Sequence, residues 1–142
     1  MKPLFLLTST NQPIILGREN QYLQKETIMD SNCLFCKIIN GEIPADKLYE
    51  DDEIFAFRDI TPQAPQHFLV IPKKHITGPS AVTDADEQLI GRMMRVGAEI
   101  ANENGIGDNF RVVLNNGEDA GQSVFHIHMH FLGGRTMTWP PG

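Results

Sequence analysis

Ten consecutive residues constrain this chain more than any others: Ser123-Val124-Phe125-His126-Ile127-His128-Met129-His130-Phe131-Leu132. Strict alternation of polar and apolar residues is the period of a β-strand, in which neighbouring side chains point to opposite faces. Read so, Val124 to Leu132 is a strand. Phe125, Ile127, Met129 and Phe131 form an apolar face that packs on the core. His126, His128 and His130 share the other face at roughly 6.5–7 Å from one to the next. A wet sheet face also alternates, but three of the five histidines of the chain fall in this window, and clustered titratable groups mark sites.

Two chemistries compete for the three imidazoles. One is a catalytic metal that activates water. The first and third histidines of a straight strand stand about 13 Å apart. One ion bonded at about 2.0–2.1 Å cannot reach both, and two neighbours share an ion only with distortion. The other is nucleophilic catalysis. An imidazole with a pKa near 6.5 is largely neutral at pH 7 and can attack phosphorus, while its neighbours move protons or position the substrate. The spacing favours the second. Upstream, Gly121-Gln122-Ser123 and Asn115 offer backbone N–H groups, a hydroxyl and an amide suited to phosphate oxygens. Plain turn chemistry is the alternative for those residues.

The rest of the chain reads as one domain of 142 residues with 41% hydrophobic and 21% charged residues. A net charge of −6 disfavours binding to a nucleic-acid backbone, though not to one small phosphate. No run reaches the roughly 18 apolar residues of a membrane span. Two cysteines make no disulfide framework and point to metal or thiol chemistry in a reducing, cytoplasmic setting. Residues 1–29 are polar and aperiodic. They read as a loose arm, or as sequence upstream of a true start at Met29, and 30–142 as the folded domain.

Ser31 or Asn32 can cap a short helix through Leu34 to Ile39 that Gly41 closes. Strands are expected at Leu48–Glu50, Ile54–Arg58, Phe68–Ile71 and Phe110–Leu114, with Val124–Leu132 as the fifth. Thr83 caps a long helix, with Asp86 at the capping-box position, and Asn104-Gly105 stops it. Hairpin-short connections and no strict β–α alternation predict an α+β fold: an antiparallel five-stranded sheet with one long and one short helix.

His126-Ile127-His128-Met129-His130-Phe131-Leu132 resembles the motif of the histidine triad (HIT) superfamily, and Gly121-Gln122-Ser123 precedes it as in that family. Ile71-Pro72-Lys73-Lys74-His75, Phe57-Arg58-Asp59-Ile60 and the closing Trp139-Pro140-Pro141-Gly142 resemble its Hint branch. The resemblance runs from about Cys33 to Gly142, and the tail separates it from Fhit-like dinucleotide hydrolases.

The resemblance implies a homodimer with one sheet continuing across both subunits, and a purine nucleoside phosphoramidate hydrolase working through a covalent nucleotidyl-histidine. It implies that His128 is the nucleophile, that His130 holds phosphate oxygens or relays protons, and that Ser123 assists. It implies that Asp59, beside Ile60, accepts from ribose hydroxyls. Asn115 and Gly121 to Ser123 would hold the phosphate. Leu34, Phe35 and Phe57 would line the base pocket, with His67 near the site, and Trp139 would reach the partner's pocket. The bottom-up reading of Asp59 alone is a carboxylate capping the Thr61-Pro62 turn.

Cys33-Leu34-Phe35-Cys36 has the spacing of a zinc half-site or a redox pair. His75 and His126 are the candidates to complete a zinc site, as in some bacterial HIT proteins that this pattern resembles. Animal Hint proteins generally lack the cysteines, so the tail and the cysteine pair come from different sub-patterns. Zinc leads, reduced thiols come next and a disulfide last. A closed four-ligand site is structural rather than catalytic, and it occupies His126 while leaving His128 and His130 for chemistry. Two other functions stay open: a dinucleoside polyphosphate hydrolase or nucleotidyl transferase on the same histidine, and a non-enzymatic nucleotide-binding scaffold.

Overall fold

The structure is a computed structural model that describes residues 29–142. The arm expected over residues 1–29 lies, Met29 excepted, outside the described residues. In chain order the elements are α1 (Leu34–Ile39), β1 (Lys47–Glu50), β2 (Ile54–Arg58), β3 (Gln66–Pro72), α2 (Glu87–Glu103), β4 (Phe110–Val113) and β5 (Met129–Gly133). The strands form one sheet in the order β1-β2-β3-β5-β4, every pair antiparallel. The expected α+β fold is therefore present. Among the described residues no helix is long and apolar enough to cross a membrane.

Alternation along the strands gives the sheet two covered faces. Ile54 and Ala56 of β2, Phe68 and Val70 of β3, and Met129 and Phe131 of β5 face Met93, Val96, Ile100 and Ala101 of α2. On the other face Phe55, Phe57, Leu69 and Ile71 pack against Cys33, Phe35, Cys36 and Ile38 around α1. The same parity puts His67 and His130 on the α1 side, beside Leu69, which pairs directly with His130.

The capping box is present, with Asp86 Oδ2 accepting from the Thr83 backbone N–H at 3.0 Å and from its hydroxyl at 3.1 Å. A turn of 3₁₀ helix, Asp84–Asp86, intervenes before α2 begins. At α1 the cap is Cys33, not Ser31 or Asn32. Its sulfur accepts from the Cys36 N–H at 3.5 Å, while the Asp30 carboxylate takes the Asn32 N–H at 2.9 Å in a local turn.

The last strand is shorter than its alternation predicts. β5 starts at Met129, not Val124. The β3–β5 register pairs Val70 with Met129, so continuing it would set Ile127 against Pro72. Proline has no N–H for the ladder, and the pairing stops. His126 and His128 thus lie just beyond the sheet. Ile127 is buried as expected, but Phe125 is 53% exposed and leaves the apolar face.

Candidate active site and cysteine–histidine cluster

Backbone partners fix the neutral tautomers of His128, His126 and His67, and His67 in turn fixes that of His130. Nδ1 of His128 lies 2.7 Å from the His126 carbonyl oxygen. A carbonyl only accepts, so His128 carries its proton on Nδ1 and leaves the Nε2 lone pair free. Nε2 of His126 lies 2.7 Å from the Pro72 carbonyl oxygen, which puts that proton on Nε2 and the lone pair on Nδ1. His67 is set the opposite way round, because its Nδ1 accepts the Gln63 backbone N–H at 3.0 Å. Its Nε2–H therefore points at Nδ1 of His130, 2.9 Å away. His130 accepts there and keeps its own proton on Nε2.

Asp59 closes this chain. Oδ1 accepts the Thr61 N–H at 2.7 Å, the turn cap read from the sequence. Oδ2 lies 3.4 Å from Nε2 of His67 and 4.0 Å from Nδ1 of His130. The three side chains have the composition of a metal site. The proton on His67 Nε2 closes that nitrogen to an ion.

Burial sets the charge state. It pushes His130 down to about 4, with the nearby His128 and His67 adding to the shift and Asp59 opposing it. Burial likewise lowers His67 and His128, again against Asp59. The site rests as neutral imidazoles, one offering a lone pair and one a ring N–H.

Phe35 sets its ring edge against His128, centroids 5.1 Å apart, and against Phe57 at 5.6 Å. Phe35 therefore sits between Phe57 and the nucleophile candidate, while Leu34 is 43% exposed. Asn115 lies against Gly121, and Ser123 is exposed. Ile60 is 96% exposed and Trp139 83% exposed, so neither is packed into the site of the single chain.

The loop at Gly121 differs from expectation. The N–H groups of Gly121 and Gln122 are not free but are bonded to the carbonyls of Glu118 and Gly117 at 2.9 and 3.1 Å. Gly121 sits at φ +95°, where only glycine is unstrained. The buried Gln122 amide takes the Gly117 N–H at 2.8 Å and donates to Thr77 and Val124 carbonyls at 2.7 and 3.2 Å. Its side chain is a strut within the loop rather than an open donor.

Cys33, Cys36, His75 and His126 come together at the N-terminus of α1. Nδ1 of His126 is 3.5 Å from Cys33 Sγ, 3.6 Å from Cys36 Sγ and 3.2 Å from His75 Nδ1. Cys36 Sγ to His75 Nδ1 is 3.4 Å. Tetrahedral bonds of about 2.0–2.3 Å require ligand separations of about 3.3–3.8 Å. The donor set therefore fits zinc in type, number and spacing. Burial holds His126 down to about 4, so it is neutral as ligation requires. Both cysteines are free thiols, and burial raises Cys36 to about 11.

Sequence reasoning missed two parts of this arrangement: the Gln63 amide that fixes the His67 tautomer, and the Pro72 carbonyl that anchors His126. The first has no sequence signal, because any non-proline residue supplies an N–H. The second was signalled by the proline itself.

Comparison with known proteins identifies the family. A family model described as the HIT domain matches residues 40–137. An uncharacterised HIT-like protein of Synechocystis is 52% identical over 114 residues, covering 80% of this chain and 100% of the relative. The adenylylsulfatase HINT1 of Arabidopsis thaliana is 42% identical over 130 residues, covering 90% of this chain and 88% of its own. The crystal structure of a HIT family hydrolase from Legionella pneumophila superimposes with a TM-score of 0.77 at 52% identity, covering 78% of this chain and 100% of that one. The chain belongs to the HIT domain family.

Proposed function

We propose that the protein is a hydrolase of purine nucleoside phosphoramidates, such as adenosine 5′-phosphoramidate, acting through a covalent nucleotidyl-His128. The observation that carries this reading is the His128 Nδ1 contact with the His126 carbonyl at 2.7 Å, which leaves Nε2 as an unprotonated nucleophile. In the first step Nε2 attacks phosphorus, the P–N bond to the amine breaks, and the amine leaves with a proton. In the second, water attacks phosphorus, the P–Nε2 bond breaks, and the nucleoside monophosphate departs.

His130 donates its Nε2–H to a phosphoryl oxygen. The charge of the bound phosphate raises the proton affinity of the His67–His130 pair, so the proton for the leaving amine is taken up as substrate binds. Asp59 accepts from the ribose through Oδ2, Leu34, Phe35 and Phe57 hold the base, and Asn115 and Ser123 hold the phosphate. Zinc on Cys33, Cys36, His75 and His126 would be structural, cross-linking α1 to the segments that follow β3 and precede β5. The assembly is a homodimer in a reducing, cytoplasmic setting.

The adenylylsulfatase relative favours a second reading, hydrolysis of a nucleotidyl sulfate on the same nucleophile. Sulfate leaves without a proton, whereas an amine needs one. Single-turnover hydrolysis of adenosine 5′-phosphoramidate and of adenylyl sulfate, in wild type and His128→Ala, tests both. The expected result is phosphoramidate turnover that falls at least about a thousand-fold in the variant. Turnover of adenylyl sulfate alone selects the second reading, and turnover that survives in His128→Ala overturns both.

A further inference from the structure

We infer that the cysteine–histidine cluster is a positioning device for the nucleophile and for the base wall, so that metal occupancy sets nucleotide affinity. The inference rests on the zinc and nucleotide readings above and deepens them by assigning the regulation of the site.

Two routes join the cluster to His128. The first runs through one residue. The His126 side chain sits inside the cluster, 3.2–3.6 Å from the other donors, and its backbone carbonyl accepts the His128 Nδ1–H. His126 has no exposed surface, and its remaining ring nitrogen is bonded to Pro72. A ligand bond at Nδ1 therefore fixes the ring, the ring fixes the backbone, and the carbonyl selects the His128 tautomer that bares Nε2.

The second route runs through α1. Leu34 and Phe35 lie between the two cysteines. Phe35 puts its ring edge on His126 at 5.9 Å and on His128 at 5.1 Å. Holding both sulfurs pins the only two residues between them, and these form one wall of the proposed base pocket.

Removing the metal releases both routes together. The Nδ1 lone pair of His126 then faces only weak thiol donors and His75. The ring loses its strongest anchor, and the carbonyl that selects the His128 tautomer moves with it.

The test uses the full chain in four forms: zinc-loaded, chelated, zinc-restored, and His75→Ala. His75→Ala removes one ligand and leaves Cys33, Cys36 and His126 in the chain. Because His75 also lies 3.2 Å from His126 Nδ1 and 3.4 Å from Cys36 Sγ, the chelated wild type, which keeps those contacts, separates loss of the metal from loss of the side chain. Two readouts are followed, the ¹⁵N resonances of the His128 ring and the dissociation constant for AMP. In the loaded protein His128 is expected as a single Nδ1–H tautomer. In the chelated and His75→Ala forms both tautomers are populated and AMP binds about 10-fold more weakly. Zinc restores both readouts in wild type only.

An unchanged His128 tautomer and AMP affinity after stoichiometric metal loss overturn the inference, and so does failure to bind zinc at one equivalent. If the metal-free chain unfolds, cadmium decides, because its longer bonds displace His126 while the fold is kept. A His128 spectrum identical in the zinc and cadmium forms overturns the inference. Neither readout needs turnover, so a protein that fails to hydrolyse phosphoramidates sinks the hydrolase reading and leaves this one to be judged separately.

Discussion

Gly97 of α2 lies directly against the ring of Phe131 in β5. A methyl group placed on Gly97 would overlap three carbons of that ring. Phe131 in turn stacks on Phe68, centroids 5.1 Å apart and planes 6° from parallel. The ring has no open side to retreat to, and the helix approaches the sheet this closely only because residue 97 has no side chain.

Gly97→Ala is therefore expected to destabilise the fold although alanine is the better helix former. Helix propensity gains about 1 kcal/mol, while overpacking a full core costs typically 1–3 kcal/mol or more. A lower urea midpoint with an unchanged slope is the expected result. The control Gly91→Ala, whose added methyl meets nothing, raises the midpoint. Equal effects at the two positions would contradict the packing described.

His130 makes stability fall as the solution is acidified. Its folded pKa of about 4 lies below the ordinary value of 6.5. Between those values the unfolded chain takes up the proton and the folded one does not, so stability drops as pH falls through that window and levels off below about 4. The contribution is of order 2–3 kcal/mol for a group this buried. Urea midpoints of wild type and His130→Gln at pH 7, 5.5 and 4.5 check it. The wild type is expected to lose more over that range, and parallel curves would refute the prediction.

Gln122 acts on the loop rather than on the ligand. Gln122→Ala leaves the Gly117 N–H and the Thr77 and Val124 carbonyls without the partners described above. The expected cost is about 1–3 kcal/mol, with faster hydrogen exchange over residues 117–123. Full protection of those amides in the variant would return Gln122 to the role of a plain substrate donor.

Trp139 is the sole tryptophan and is 83% exposed in the single chain, so its emission reports one position. β4 offers the plainer edge for a second subunit. Phe110–Val113 carries one charged residue and no bulge, whereas β1 carries Lys47, Glu50 and a register break. On dilution, light scattering is expected to pass from twice 15.9 kDa to one chain mass, with the emission moving to the red. A mass of one chain at every concentration, or emission that ignores it, counts against the dimer.

The framework was legible because its signals are local. Thr83 with Asp86, the apolar period of α2 and the turn glycines are readable over a few residues. The motif also announced which histidines gather near Phe35 and Asp59. What it hid depends on chain segments that meet only in the fold. The alternation from Val124 onward predicts a long strand, but its length is decided by Pro72 across the ladder. Likewise, nothing within the Gly121 loop shows that the Gln122 side chain is spent on the Thr77 carbonyl, which lies far away in the sequence. The meeting of Cys33, Cys36, His75 and His126 follows from α1 lying over the end of β3, a packing relation with no period in sequence.

Because pairing stops at Met129, His126 and the proposed nucleophile His128 hang on a short lead past the last sheet bond, while His130 stays within the ladder. The histidines on that lead are placed by counting residues from the ladder's end. One residue added between His128 and Met129 would leave every strand partner intact while turning the proposed nucleophile away from its neighbours. At this point in the chain folding and chemistry obey separate rules, and a chain can satisfy the first while losing the second.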